Sequence, residues 1–430
     1  DQKLHWVVQN VQSFAQGGAQ GPCQSHDALL IDFHRRIVAV CLTLRHDPMD
    51  TSLPLPLLGG ITPQQFMQRY WQKKPLLIRN ALPGFKPLLS RVQLMEMASR
   101  DEVESRMVVH GNKGWRLSHG PLTRRAFPSL NQPKWTFLVQ GVDLHDQSVH
   151  DLMAQFRFVP DARLDDLMIS YATDGGGVGP HFDSYDVFLL QAHGQRRWRI
   201  GRQKDLSLEE GVPLKILSNF EPEVEYVLNP GDMLYLPPKY AHDGIALGEC
   251  MTYSVGFKVP MRDKMGTELL QRLVDDPEDC EGPDTLYKDP KQPAVDAPAM
   301  MPEALQEFAR DALRAKLQAA LVDVDLQNQI LGEHLTEPKA AVWFEPGPES
   351  NDVEAGVVLD RRTRMLYDQR HIFINGESYR AAGSDAKLMR ALADKRGLDV
   401  KTMQKASDDA RSLLASWCEA GWAHVGGQPC

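Results

Sequence analysis

Residues 175–201 read GGGVGPHFDSYDVFLLQAHGQRRWRIG, and this stretch decides which fold the chain can adopt. A glycine-rich turn leads into His181 and Asp183, and the apolar run that follows ends among three arginines. Because side chains alternate along a strand, an extended backbone projects His181 and Asp183 from the same face. One such pair is expected by chance in a chain with 14 histidines, so the neighbouring segments must show whether it binds a metal.

Residues 165–259 have the composition of short strands separated by Gly and Pro turns. The candidate strands are DDLMISYAT, YDVFLLQAHG, RRWRIG, VEYVLNPGDMLYLPP and MTYSVGFKV. This spacing predicts a small barrel or a double-stranded sandwich. In a rolled sheet, the segment NPGDMLYLPPKYAHDG turns at Pro230–Asp232 and returns beside the first segment. His242 would then join His181 and Asp183.

Two neutral histidines and one carboxylate form a facial triad, which holds Fe(II) on one side and leaves three positions open. Zinc accepts the same ligands, so the residue types alone leave the metal open. The strand that follows contains Arg196, Arg197 and Arg199, and one of them is expected to point into the barrel. A buried arginine needs an anion to compensate its charge, and a carboxylate can pair with it through two hydrogen bonds. A dicarboxylate co-substrate fits that need. Strand parity does not choose between Arg196 and the other two.

The glycines at 175, 176, 177 and 179 resemble a phosphate-binding loop only superficially, because neither a helix nor a lysine follows them. We interpret them as a permissive turn near the mouth of the site. Tyr185 and Asp186 are candidates for lining that mouth. His119 and His193 have no partner at a useful spacing and are expected at the surface.

The quoted motifs resemble those of the Jumonji-C-type Fe(II)/2-oxoglutarate oxygenases, and most of all the bacterial ribosomal-oxygenase branch. That branch carries DDLMIS, GGGVGPH-x-D-x-YDVF, RRRWR-x-G, PGD-x-LY-x-PP and NYSVGF. This chain reads DDLMIS, GGGVGPHFDSYDVF, QRRWRIG, PGDMLYLPP and TYSVGF, so it departs at Gln195 and Thr252. The residues 171–173 also differ from the family. The resemblance runs from about Thr62 to the C-terminus.

The resemblance implies a mixed α+β fold: a double-stranded β-helix (jelly-roll, cupin-like) catalytic domain, a helical dimerisation region and a C-terminal winged-helix-like domain. It assigns Fe(II) to His181, Asp183 and His242, and the far carboxylate of 2-oxoglutarate to Arg196. The implied reaction uses O2, releases succinate and CO2, and hydroxylates an arginine of a large-subunit ribosomal protein, the sixteenth in the standard naming. Two alternatives remain: a demethylase of basic proteins on this fold, and a non-catalytic cupin-like metal-binding scaffold.

Four segments are expected along the chain. Residues 1–56 form a poorly defined extension and linker, 57–260 the oxygenase domain, 261–338 the helical dimerisation region, and 339–430 the winged-helix-like domain. Thr62, Pro63 and Gln65 have the spacing of a helix start with a capping box. The amphipathic stretch at 303–334 is long enough to bind a partner helix, so a homodimer is expected.

The composition, 42% hydrophobic and 24% charged, is that of a globular protein. No apolar run reaches membrane-spanning length and residues 1–48 lack the order of a secretory signal, so a cytoplasmic protein is expected. The six scattered cysteines predict reduced thiols. A net charge of −9 disfavours nucleic acid and favours basic partners. A local basic spot at Arg361, Arg362 and Arg364 does not change this expectation, because acidic residues and prolines surround it.

Overall fold

The computed structural model describes residues 49–275, 286–294, 299–348 and 352–426. The predicted extension therefore lies mostly outside the described residues, which begin close to its end. Leu57 and Leu58 are already buried in the main hydrophobic core. Cys250 and Cys418 are buried and free, as expected of reduced thiols, and the other four cysteines lie outside the described residues.

Three short helices precede and flank the sheet: α1 (Pro63–Arg69), α2 (Arg91–Met97) and α3 (Gln147–Ala154). The capping box predicted for α1 is present, because the Thr62 hydroxyl accepts from the Gln65 amide and the Gln65 side chain accepts from the Thr62 amide. Ser90 and Gln93 form a second capping box on α2. These caps satisfy amides that no helical carbonyl can reach, and they fix where each helix begins.

Nine strands form one antiparallel sheet, in the order β1-β8-β6-β9-β5-β4-β2-β3, with β7 also paired to β6. They are β1 (Leu76–Ile78), β2 (Ser105–Gly111), β3 (Gly114–His119), β4 (Trp135–Val139), β5 (Leu164–Ala172), β6 (Asp186–Gly201), β7 (Val224–Leu228), β8 (Met233–Leu236) and β9 (Ala241–Phe257). Strands β2 and β3 form a hairpin that turns at Gly111–Gly114.

The long strands β6 and β9 roll the sheet. The first half of β6 pairs with β8 and its second half with β7, while β9 pairs with β6 almost throughout. The prediction of two separate strands for YDVFLLQAHG and RRWRIG is wrong, because bulges between Gln191 and Gln195 absorb Gly194 without ending the ladder. Strand β9 also begins earlier than the predicted MTYSVGFKV strand, so His242 lies on a strand.

The rolled sheet has two different faces. On the outer face, Phe188, Tyr235 and Tyr253 pack with Phe66 of α1 in the main core. On the inner face, a smaller cluster contains Trp198 and the aliphatic residues Val187, Leu189, Ile200, Leu228, Leu234 and Leu236. The metal-ligand candidates lie at the open end of this inner face. The predicted jelly-roll, cupin-like architecture is confirmed.

Helices α4 (Arg262–Asp275), α5 (Glu303–Val322) and α6 (Val324–Thr336) follow the sheet, as the helical pattern predicted. The C-terminal part has a core of its own around Leu414 and Trp417. It contains two three-stranded sheets, β14-β10-β15 and β11-β12-β13. Its elements are β10 (Val357–Leu359), β11 (Met365–Tyr367), β12 (His371–Ile374), β13 (Glu377–Arg380), α7 (Gly383–Lys395), β14 (Gly397–Leu398), α8 (Val400–Met403), α9 (Asp408–Glu419) and β15 (Ala423–Val425). Among the described helices, none has the length and apolarity needed to cross a bilayer.

Candidate metal centre

Two histidines meet across an isolated antiparallel bridge. The His181 amide donates to the His242 carbonyl at 3.0 Å, and the His242 amide donates back to the His181 carbonyl at 2.8 Å. Their ring centroids lie 4.3 Å apart. The backbone itself therefore brings together two residues that are 61 positions apart in the sequence, as the predicted return of the second segment requires.

Asp183 completes the group, although it lies in a loop and not on a strand. Residues 182–185 have no strand structure, so the expected same-face projection from an extended strand is wrong in detail. The Lys239 amide instead donates to the Asp183 carbonyl at 2.7 Å and holds this loop in place. One Asp183 carboxylate oxygen lies 3.6 Å from His242 Nε2. The three residues each offer a ligand atom, and these atoms all lie within 4.8 Å of one another.

The histidine tautomers are set by the backbone. His181 Nδ1 lies 2.9 Å from the Gly179 carbonyl, and His242 Nδ1 lies 3.0 Å from the Tyr240 carbonyl. A carbonyl only accepts, so each Nδ1 carries the proton and each Nε2 keeps its lone pair free for a metal. Burial, and then the neighbouring His181, lower the pKa of His242 to about 4. The neutral imidazole that a metal needs is therefore the resident form at neutral pH.

Two aromatic side chains support the ligands. The Trp198 ring packs against His242 with centroids 5.7 Å apart. It occupies the space beside Gly244, where an added Cβ would lie 2.6 Å from the ring. The Tyr185 hydroxyl hydrogen-bonds Asp183, and burial first, then the Asp183 charge, raise the pKa of Tyr185. Tyr185 is 40% exposed, so it lies at the edge of the site as expected.

Arg196 is the inward arginine. Its side chain is buried, at 5% exposure, while Arg199 pairs with Asp243 on the other face and Arg197 lies 3.9 Å from Glu225. Among the described residues, Arg196 Nε and Nη2 have no hydrogen-bond partner. Buried guanidinium donors without acceptors are costly. These donors suit a carboxylate, so the residues present fit the dicarboxylate co-substrate predicted from the sequence.

Thr136 was missed by the sequence analysis. Its buried hydroxyl also has no partner in the part of the chain that the structure describes. Thr136 pairs with Ala172, which packs with Ala246, and Ala246 pairs with Arg196. Paired residues share a sheet face, so Thr136 and Arg196 face the same interior. The available signal was one polar residue in the otherwise apolar strand WTFLV.

Asp186 does not line the mouth, so that expectation is wrong. It is fully buried behind the sheet, where it accepts from the Tyr235 hydroxyl at 2.6 Å and from Gln72 at 3.1 Å. The bulged β6 strand begins at Asp186 and points its side chain to the outer face. His119 and His193 are exposed, as expected, and neither joins the metal-ligand candidates.

Known protein families match two parts of the chain. A JmjC domain matches residues 151–265, which include the three metal-ligand candidates and Arg196, and a ROXA-like winged helix matches residues 316–424. The ribosomal protein uL16 3-hydroxylase of Escherichia coli is 32% identical over 372 residues, covering 83% of this chain and 96% of the relative. A probable ribosomal oxygenase of Haemophilus influenzae is 39% identical over 214 residues, covering 49% of this chain and 53% of the relative.

A solved structure extends the likeness to the whole architecture. YcfD, a ribosomal oxygenase from Escherichia coli in complex with cobalt and 2-oxoglutarate, superimposes with a TM-score of 0.70 at 30% identity, covering 85% of this chain and 98% of that one. Likeness at this identity, over nearly the full length of a curated relative, establishes common family membership. The chain belongs to the JmjC-domain ribosomal oxygenases that also carry a ROXA-like winged helix.

Proposed function

We propose that this protein is an Fe(II)- and 2-oxoglutarate-dependent oxygenase that hydroxylates an arginine side chain of ribosomal protein uL16. One observation carries the proposal: three metal-ligand candidates lie together beside a buried arginine, and two of its guanidinium nitrogens have no hydrogen-bond partner among the described residues. A pure binding scaffold needs neither the open metal face nor the buried charge. The uL16 3-hydroxylase relative supports the choice of substrate.

Each residue has a defined task. His181, Asp183 and His242 would hold the iron, with both Nε2 atoms directed by their Nδ1 bonds to the backbone. Arg196 would bind and orient the far carboxylate of 2-oxoglutarate, assisted by the Thr136 hydroxyl. The bound iron, with 2-oxoglutarate and O2, supplies the hydroxylating chemistry and yields succinate and CO2. The apolar inner face around Trp198 keeps water away from the reacting groups.

The entrance suits a cationic substrate. Trp115 lies against Gly179, where an added Cβ would be 3.3 Å from its ring, and it stacks on His110 at 4.1 Å. Tyr185 forms another edge. Aromatic faces attract a guanidinium group, and the net charge of −9 favours approach of a basic protein. A ribosomal substrate would place the reaction in the cytoplasm, in agreement with the expectation from sequence.

We also infer a homodimer formed through α5. None of the residues of α5 is buried, and three leucines at four-residue spacing expose apolar surface on one side: Leu313, Leu317 and Leu321. Residues four apart share a helix face, and such a face normally packs against another helix.

Mass spectrometry of purified uL16 tests the function. The protein, Fe(II), 2-oxoglutarate and O2 should add the mass of one oxygen atom, located on an arginine by fragmentation. His181→Ala should abolish the addition, whereas His193→Ala, which alters an exposed histidine on β6, should not. Loss of methyl groups from a methylated substrate would instead indicate the demethylase. No mass change by protein shown to contain iron would favour the scaffold.

A further inference from the structure

A cavity with many charged side chains in its walls lies away from the metal-ligand candidates, where the oxygenase domain meets the winged-helix-like domain. This junction cavity has a volume of about 90 Å³, and its walls come from residues 143–165, Lys258, Leu335, residues 361–366 and Arg396. Neither the three metal-ligand candidates nor Arg196 line it. Six basic side chains do: Arg157, Lys258, Arg361, Arg362, Arg364 and Arg396.

The acidic residues of the cavity do not balance this charge. Three carboxylates line it: Asp161 pairs with Arg157, Asp165 pairs with Lys339 at 3.1 Å, and Asp143 accepts from the Leu167 amide at 2.8 Å and keeps its charge. Asp360, outside the lining, binds Arg362 at 2.8 Å. Six lining cations therefore face these four carboxylates, so positive charge remains within the cavity.

Three of the basic groups carry that excess. Within the described residues, Lys258, Arg364 and Arg396 have no carboxylate at salt-bridge distance. Arg364 donates to the Glu337 carbonyl at 3.2 Å, and Arg396 to the carbonyls of Asp360 and Thr363 at 2.7 and 3.0 Å. Carbonyl dipoles satisfy these N–H groups but leave their charge in place.

Burial disfavours the charged form of each of these three basic groups. It lowers the pKa of Arg396 to about 10, and together with the Arg364 charge it lowers the pKa of Lys258 to about 8. Burial also lowers the pKa of Arg364. Uncompensated cations in a low-dielectric space are retained where an anion joins them. Here, basic groups from two domains surround the same small volume.

We propose that the junction cavity binds a small inorganic oxyanion of the phosphate class, which bridges the oxygenase domain and the winged-helix-like domain. A cavity of about 90 Å³ has room for a tetrahedral oxyanion. Guanidinium forks match the oxygen spacing of such an ion. Asp143 and Asp165 lie on the same walls, and their charges act on Arg364, as that of Asp165 does on Lys258. The ion would therefore contact these two cations from the side away from both carboxylates.

Lys258→Met is the decisive variant, because it removes a charge whose ammonium has no hydrogen-bond partner among the described residues and keeps most of the aliphatic stem. Lys387→Met, at an exposed position on α7, is the matched control. Calorimetric titration of the full-length protein with inorganic phosphate at pH 7 should show one site in the wild type and in Lys387→Met. Lys258→Met should weaken phosphate binding about tenfold or more.

Thermal unfolding separates an anion site from a merely structural lysine. In chloride buffer, Lys258→Met should unfold at the wild-type temperature or above, because it removes a charge that burial disfavours. In phosphate of equal ionic strength, the wild type should gain stability that Lys258→Met lacks. Arg364→Gln should likewise show no stabilisation by phosphate. Equal phosphate stabilisation of all variants would reflect general exclusion of the ion from protein surfaces, and it would overturn the proposal, as would the absence of a titratable site.

Discussion

Arg196 reaches the interior because Gly194 bends the strand two residues before it. Gly194 has φ +60°, and an added Cβ would overlap the Glu249 carbonyl oxygen. Two register shifts, from Gln191 to His193 and from His193 to Gln195, change which side chains face inward: Gln191 and Arg196 share the inner face although they are five positions apart. A regular strand would have turned Arg196 outward.

Gly194→Ala should therefore lower the free energy of unfolding by about 2 kcal/mol or more, since the left-handed conformation and the overlap are both penalised. Denaturant unfolding measures the change. Gly266→Ala is the control, because Gly266 lies in helix α4 with nothing within 4 Å of an added Cβ. It should stabilise by about 0.5–1 kcal/mol. Equal effects of the two substitutions would contradict the role of the bend.

Arg196→Met should raise the Kd for 2-oxoglutarate about 10–100-fold, because a charge-assisted hydrogen bond to a carboxylate is lost. Titration of Mn(II)-loaded protein measures binding without turnover. Arg197→Met, whose guanidinium points away from the interior, should leave the Kd unchanged. Unaltered affinity in Arg196→Met would remove Arg196 from the co-substrate pocket.

At the scale of elements, the short helical turn Val142–Leu144 supports strand β5 through a buried carboxylate. Asp143 accepts from the Leu167 amide, and burial raises the pKa of Asp143 to about 6. The native state thus binds a proton more tightly than the unfolded chain does, so stability decreases as pH rises from about 4 to about 6. Above pH 6 the ionised group costs up to roughly 3 kcal/mol.

Asp143→Asn keeps an acceptor oxygen and cannot ionise. It should be more stable than the wild type at pH 7.5, with a difference that shrinks towards pH 4. Denaturant unfolding at both pH values gives the comparison. A difference of equal size at the two pH values would show that the Asp143 charge does not matter.

Elements with local signals could be predicted from sequence, and those that depend on register could not. The capping residues Thr62 and Ser90 mark their helix starts within a few positions. The single strand β6 looked like two, because Gly194 is typical of a turn and only the neighbouring β9 shows that pairing continues through it. The metal-ligand candidates His181, Asp183 and His242 were predicted from their residue types and motifs, and the structure brings them together. The prediction that Arg196 rather than Arg197 points inward came from the family resemblance. Strand alternation could not give it, because a bulge interrupts the alternation of side chains.

At the scale of the whole molecule, the exposed leucines of α5 should determine the oligomeric state. The double variant Leu313→Asp and Leu317→Asp should be monomeric at micromolar concentration, because two charges would enter an apolar contact. Light scattering after size exclusion measures the mass. Lys316→Asp, on another side of the same helix, is the control. A monomeric wild type would refute the homodimer.

The metal-ligand candidates are held by the fold rather than by an ion, since His181 and His242 bind each other through two backbone hydrogen bonds. A chelator should therefore abolish activity while leaving the circular dichroism spectrum unchanged, and added Fe(II) should restore turnover without a refolding lag. Loss of secondary structure on chelation would contradict this.

A site whose candidate ligands are already in place also discriminates poorly among divalent metal ions. Two imidazoles and a carboxylate bind Zn²⁺ and Co²⁺ more strongly than Fe²⁺ in the usual affinity order. The rigid bridge between the histidines gives no conformational penalty by which the wrong ion would be rejected. Occupancy would then follow the relative supply of metal ions, so excess zinc would displace iron and inactivate this enzyme without unfolding it.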